Sequence, residues 1–538
     1  MQLRSWVAAC MFGAALLGAA GARAAEPHIG KFVSYEVEDF TITTSRGGKQ
    51  AREFMEGLAK FRVTLEKTLA KRAINIGVPT HILVVSAATW QKYLQPGQNV
   101  AGWFHSGRFA NYMAMDGDAE GSEATHIMFH EYTHFFLASQ FAGEYPPWFN
   151  EGLAELMGYV KFTKDMVVLL IPTYRLEEAR DGDWIPFDRM IHVDQNSPEY
   201  LSHKLADSFY AQAWLTVHYG FVENREFGKH IIDYLNYLNR LRPIEEAARL
   251  TFGPDLSVVD KQLREYSRSK QIMSGGLKLG DLPPVTLPEG KPVADLDAQA
   301  MLADLMLETR KAPDRVRPLV ESLARHEPNS ARTAILEARL ARLDEDPKAF
   351  EAAVKRATSL LPAGDWLSRR ELASVLLDNA LAFNSVNSGN ADDTERDLTS
   401  AMHWFGEAIQ HNSEDVESLW GFGAAAVQLD KDLDLAETAL LAAYKRAPTS
   451  PDIAMSLANL KGRQQQPEAM IPFLKDTIRF SNDHRTSKWA LETLAETQQY
   501  LEERDRVEAE NRKQREAYEK MRADYDKKYG KTKKKSGG

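Results

Sequence analysis

Cysteine is almost missing from this chain, with one residue, Cys10, in 538. Cys10 falls in an amino-terminal stretch that reads as an export signal, so the mature chain is expected to contain no thiol. That excludes a disulfide framework and leaves imidazole and carboxylate to hold any metal. Long apolar runs are also missing beyond the first 20 residues. A later stretch such as Met166 to Ile171 is far too short to cross a bilayer. Charge of one sign is not in excess: 66 Lys and Arg against 76 Asp and Glu give a net charge of −10. So mild a balance, and an acidic one, argues against nucleic acid as the main partner.

The leader has Arg4 in a short basic region, an apolar run from Val7 to Ala20, and small residues at Ala22-Arg23-Ala24 or Ala24-Ala25 for cleavage. The alternative is a membrane anchor, for which the run is short. Residues 1–25 are therefore expected to be a signal peptide, and the protein periplasmic or secreted from a bacterium. Composition is otherwise ordinary for a globular protein, with 44% hydrophobic and 26% charged residues. The length is enough for two or three domains.

Two segments carry the chemistry. His130-Glu131-Tyr132-Thr133-His134 is an HExxH motif. On an α-helix, positions i and i+4 share a face one turn apart, so both imidazoles can point at one metal ion. Glu131 lies beside them, where a carboxylate can take a proton from an attacking water. A catalytic zinc needs a third protein ligand and one open position. Glu151, seventeen residues after His134, is the natural third. Gly143 and Pro146-Pro147 would end one helix and start another, placing Glu151 in the first turn of the second. Glu155 follows one turn later on the same face, the place for a carboxylate that orients a ligand imidazole. The bland alternative is an amphipathic helix with solvated acids.

HExxH followed by Asn150-Glu151-Gly152-Leu153-Ala154-Glu155 resembles the gluzincin zinc peptidases. The flanks Val100-Ala101-Gly102-Trp103-Phe104 and Pro147-Trp148-Phe149 are most similar to the bacterial peptidase-MA-like family. The resemblance covers roughly residues 30–265. It implies an α+β domain with a small amino-terminal sheet and a helical catalytic part, and one Zn2+ per chain on His130, His134 and Glu151. It also implies Glu131 as general base and Glu155 beside the ligands. Tyr210-Ala211-Gln212-Ala213 is similar to the helix that carries an oxyanion-stabilising tyrosine in the aminopeptidases, with Gln and Ala where those have Lys and Gly. Tyr210 is thus either that donor or a core tyrosine. Asn150 would bind substrate backbone in the manner of this fold class. The Gly-x-Met-Glu-Asn strand of the aminopeptidases has no counterpart, so amino-terminal trimming is not implied.

Elsewhere, residues 40–44 and 81–85 have the β-branched composition of strands, and apolar spacing predicts a helix over 49–72. Phe109 to Met115 is expected as a further strand; the resemblance implies an edge strand that pairs with substrate, and a buried strand of the sheet is the equal alternative for any single residue. Residues 121–266 read as mostly helical, with a looped excursion at 174–200 expected over the cleft. His126 stands two turns before His134. Eight helical residues advance about 12 Å, too far to share an ion with it, so His126 is expected at the surface or in the cleft. His218 and Tyr219 are second-choice oxyanion donors or packing residues. The domain of residues 26–270 should end in a Gly- and Pro-rich linker, 271–297.

From 298 to 500 the pattern becomes helical hairpins with a period near 34. Trp420, Ala436, Ala443 and Pro448 match the spacing of the tetratricopeptide consensus, and about five units are expected. The alternative is an irregular helical domain. Such a solenoid usually binds peptides or proteins. Residues 501–538 are a charged tail, at best a solvated helix, ending in Lys531-Thr532-Lys533-Lys534-Lys535. The expected whole is an exported zinc peptidase whose solenoid recruits a protein substrate or partner. The alternatives are a catalytically silent scaffold and, more weakly, a structural zinc.

Overall fold

The computed structural model describes residues 27–37, 40–68, 79–95, 101–118, 122–140, 145–163, 166–194, 197–240, 242–278, 288–310, 313–381, 391–481 and 484–529. The leader, the basic tail and most of the polar insertion after 382 lie outside them.

The amino-terminal part is built on β1 (Phe32–Val37), β2 (Phe40–Thr44), α1 (Gly48–Thr68), β3 (Thr80–Val85), α2 (Ala87–Thr89), β4 (Gly102–Ser106) and β5 (Asn111–Asp116). With β9 (Lys291–Val293) these strands form one sheet in the order β4-β5-β3-β2-β1-β9. β2, β3 and β5 run parallel, while β1, β4 and β9 are antiparallel to their neighbours. The strand period of two sorts the sheet into two apolar faces. Ile82, Val84, Met113 and Met115 pack with α1 and the motif helix, whereas Leu83, Val85 and Ala114 pack on the carboxy-terminal helices.

The helices that carry the motif residues are α3 (Ser122–Gln140) and α4 (Pro147–Gly158). They are followed by β6 (Val160–Phe162), β7 (Met166–Leu169), α5 (Thr173–Asp181), α6 (Phe187–Met190), α7 (Pro198–Leu201), α8 (His203–His218), α9 (Arg225–Leu238), α10 (Ile244–Phe252) and α11 (Ser257–Ser267). β8 (Gly275–Lys278) returns to pair with β7 in a second, three-stranded sheet.

Phe109 to Met115 contains a strand, and of its two expected places, cleft edge or buried sheet strand, it takes the second: β5 is internal, between β4 and β3. The edge belongs to β4, because β5 pairs on both sides and β4 on one. The linker over 271–297 is not featureless, since β8 and β9 anchor its two ends in different sheets. Short Gly- and Pro-containing strands carry no apolar alternation to reveal them.

The rest is helical: α12 (Asp295–Thr309) with α13 (Arg317–His326), α14 (Ala331–Leu343) with α15 (Pro347–Leu360), α16 (Trp366–Leu381) with α17 (Ala391–His411), α18 (Val416–Leu429) with α19 (Leu433–Arg446), and α20 (Pro451–Arg463) with α21 (Pro467–Phe480). These are five consecutive helix hairpins, the tetratricopeptide-like repeats. Ala436 and Ala443 are fully buried where paired helices meet, which is what a small residue permits. α22 (His484–Tyr529) closes the stack and continues outward as a solvated helix. No helix among the described residues is long and apolar enough to cross a membrane.

Candidate metal centre

α3 buries Met128, Phe129, Tyr132, Phe135 and Phe136 against its neighbours. That leaves His130, Glu131 and His134 on the opposite side. α4 begins at Pro147, which has no backbone N–H to waste in the first turn and a φ preset for helix. The amides of Phe149 and Asn150 both donate to the Pro146 carbonyl. α4 is buried almost throughout and is pressed onto α8 at Gly152, where a Cβ would lie 2.4 Å from the Ala213 carbonyl oxygen. This close approach turns Glu151 towards α3.

The result is a triangle of ligand atoms. His130 Nε2 and His134 Nε2 are 3.1 Å apart. Each is 3.4 Å from Glu151 Oε2. A tetrahedral zinc with bonds of about 2.0–2.2 Å places its ligands about 3.3–3.6 Å apart. The far side of each imidazole faces an acceptor. His134 Nδ1 is 3.0 Å from Asn150 Oδ1, and His130 Nδ1 is 3.7 Å from Glu155 Oε1. Asn150 Oδ1 beside His134 Nδ1 favours the tautomer that leaves Nε2 facing Glu151, whereas the separation of His130 from Glu155 is longer than a hydrogen bond. Three atoms able to bind a metal thus converge on one point. Two imidazoles and one carboxylate are a donor set suited to zinc.

Local charges agree. Burial raises the Glu151 carboxyl, but the His134 and His130 imidazoles outweigh it and hold it well below the ordinary range. Burial lowers the His134 imidazole, and the Glu151 carboxylate more than offsets this, raising it to about 9. Glu131 is pushed up, mainly by burial, with the two imidazoles opposing. It accepts a hydrogen bond from the Phe104 amide of β4, which places the edge strand directly beside it. A raised carboxyl pKa suits a group that must both take and return a proton.

Glu155 is held by a residue for which the sequence offered no signal. Arg175, from α5 in the 174–200 excursion, donates from Nη2 to Glu155 Oε1 at 2.8 Å. Burial raises Glu155, and the Arg175 charge reverses the shift, so the carboxyl lies below its usual value. The excursion therefore supports the centre from beneath. The ring of Tyr210 lies against the same guanidinium, 5.3 Å from its centroid, on the Glu155 side of the site.

Asn150, the expected substrate-binding residue, has its side-chain oxygen on His134. His126 is not a surface residue. Its ring packs on Tyr159 at 4.0 Å, and its Nε2 lies 3.9 Å from Glu155 Oε2. Burial lowers it to about 4. His126, His130 and Glu155 form a second cluster, but its 3.7 and 3.9 Å edges are wide for a tetrahedral ion. Glu155 also already holds a cation in Arg175. His218 is fully buried and its Nδ1 is 2.8 Å from the Tyr266 hydroxyl. Tyr219 accepts from Asn224 Nδ2 at 2.9 Å. Both belong to the packing behind α8.

No protein-family model matches the chain, and no curated protein matches it. Solved structures do. YrrB, a TPR protein with an unusual peptide-binding site, is 16% identical with a TM-score of 0.27, over 37% of this chain and 92% of its own. PilF of Pseudomonas aeruginosa is 14% identical with a TM-score of 0.29, over 39% of this chain and 90% of its own. PilW, a type IV pilus biogenesis factor, is 13% identical with a TM-score of 0.29, over 39% and 93%.

Proposed function

We propose that the chain is an exported zinc-dependent peptidase of the gluzincin type, with His130, His134 and Glu151 as ligands. The observation that supports this best is the triangle of lone-pair atoms, with edges of 3.1, 3.4 and 3.4 Å. Zinc bound there supplies a Lewis acid that makes water a nucleophile near neutral pH and polarises a peptide carbonyl. Glu131 takes the proton of the attacking water and delivers it to the leaving amine nitrogen. Its raised pKa favours the second half of that cycle. β4 offers an unpaired edge beside Glu131, so an extended substrate can add to it as a further strand. Asn150 holds the His134 imidazole through Nδ1, and the Glu155 carboxylate lies beside His130. Tyr210 is proposed to stabilise the oxyanion.

A second reading has a specific feature in its favour. The five helix hairpins are an architecture that binds peptides and proteins, and a scaffold would need nothing from the metal. The two readings separate on an unstructured substrate such as casein. Cleavage by the purified protein, stopped by a chelator and restored by zinc, supports the peptidase. With Glu131→Gln, turnover is expected to fall by about 100- to 10,000-fold while zinc is retained. A Glu131→Gln variant with full activity would remove the general-base role, and no cleavage by a zinc-loaded wild type would favour the scaffold.

A further inference from the structure

The inner surface of the helical repeats is not vacant, because the chain itself occupies it. The β4–β5 turn closes with the Gly107 amide donating to the Ala110 carbonyl at 2.9 Å. Its tip, Arg108-Phe109, reaches into the repeats. Arg108 Nη1 donates to Asp378 Oδ1 at 3.0 Å, and Nε donates to Asp452 Oδ1 at 3.2 Å. The guanidinium lies over the Trp420 ring, 4.6 Å from its centroid. The Phe109 ring is 5.0 Å from the same ring and packs on the repeat core. Trp420 is itself fixed, donating from Nε1 to Ser456 Oγ at 2.9 Å.

Asp378, Trp420 and Asp452 sit on α16, α18 and α20, the first helices of three successive hairpins. Two carboxylates and an indole face thus converge on one guanidinium, a geometry that uses its planar fork and its affinity for aromatic faces together. Gly107 is needed for the approach, since a Cβ there would lie 2.6 Å from the Ala110 carbonyl oxygen.

We propose that the helical repeats act on the metal centre in cis, with Arg108 as a positioning residue that fixes edge strand β4 beside Glu131. β4 hydrogen-bonds a sheet neighbour on one side only, and such an edge is the least constrained part of a sheet. Phe104 packs on Phe135 from one face and Trp103 is buried in the core on the other, but neither ties the strand lengthwise, and its outer side is where substrate would add; a further tie along the strand comes from its end. The turn is that end, four residues from the Phe104 amide that bonds Glu131. The consequence for catalysis rests on the peptidase reading, whereas the clamp itself does not.

The test is amide hydrogen exchange in the full-length chain, followed over residues 102–106. The double variant Asp378→Asn with Asp452→Asn removes both carboxylates that bond Arg108 without touching the strand. It is expected to speed exchange there about tenfold while α3 and the repeats keep their protection. Arg108→Asp is expected to do the same, and Asp378→Arg added to it to restore protection, which general destabilisation would not do. Should the double variant lose its helical circular dichroism, Arg108→Ala, on a turn outside both cores, decides the question by the same measurement. Unchanged exchange over 102–106 in a folded variant overturns the proposal. Faster exchange in a protein that binds no zinc would sustain the clamp and sink the peptidase reading.

Discussion

Glu155 shows how the centre is assembled at the level of single residues. It lies between His130 Nδ1, at 3.7 Å, and Arg175, which holds it at 2.8 Å, so on the proposed zinc reading it would tune how strongly His130 donates to the metal. Glu155→Gln is expected to weaken zinc affinity by about 10- to 100-fold, measured by competition with a chelating dye. An unchanged affinity would remove this role. The spacing of His130, His134, Glu151 and Glu155 was legible in the sequence because helical periodicity alone sets it. The contact of Asn150 with His134 was not legible, because its neighbour in space is sixteen residues away across a helix junction. Arg175 gave no sign at all, since its partner is fixed by how α5 docks and not by any local pattern.

At the scale of elements, α8 and α11 meet through His218 and the Tyr266 hydroxyl. Burial lowers His218 from the ordinary 6.5 to about 4. The unfolded chain therefore takes up this proton at a higher pH than the folded one. Stability from this group is fully present above pH 6.5 and is lost as pH falls from there towards 4, by about 3 kcal/mol at most. His218→Gln is expected to flatten that part of the pH–stability curve in denaturant titrations. A curve as steep as wild type between pH 6.5 and 4 would assign the acid loss elsewhere. Strand composition exposed β2 and β3, and turn residues marked the break between α3 and α4. Which strand is the edge was not legible. β4 and β5 are successive arms of one hairpin, and only the pairing of β5 with β3, some thirty residues distant, decides it.

For the whole molecule, the 34-residue period and the small residues at 436 and 443 disclosed the repeats, because each hairpin must bury the same faces against the next. What they could not disclose is that the repeats pack on the sheet. The hint was in β3, where Leu83 and Val85 are as apolar as Ile82 and Val84, a strand that needs cover on both faces. Sheet, metal centre and repeats thus share cores, with β9 and the Arg108 turn as further ties. The central claim is nonetheless the split metal site, and metal content tests it most directly. Elemental analysis of the wild type and Glu151→Ala, purified without chelators, should give about one zinc per chain in the first and little in the second. No zinc in the wild type, or equal zinc in both, would contradict the account.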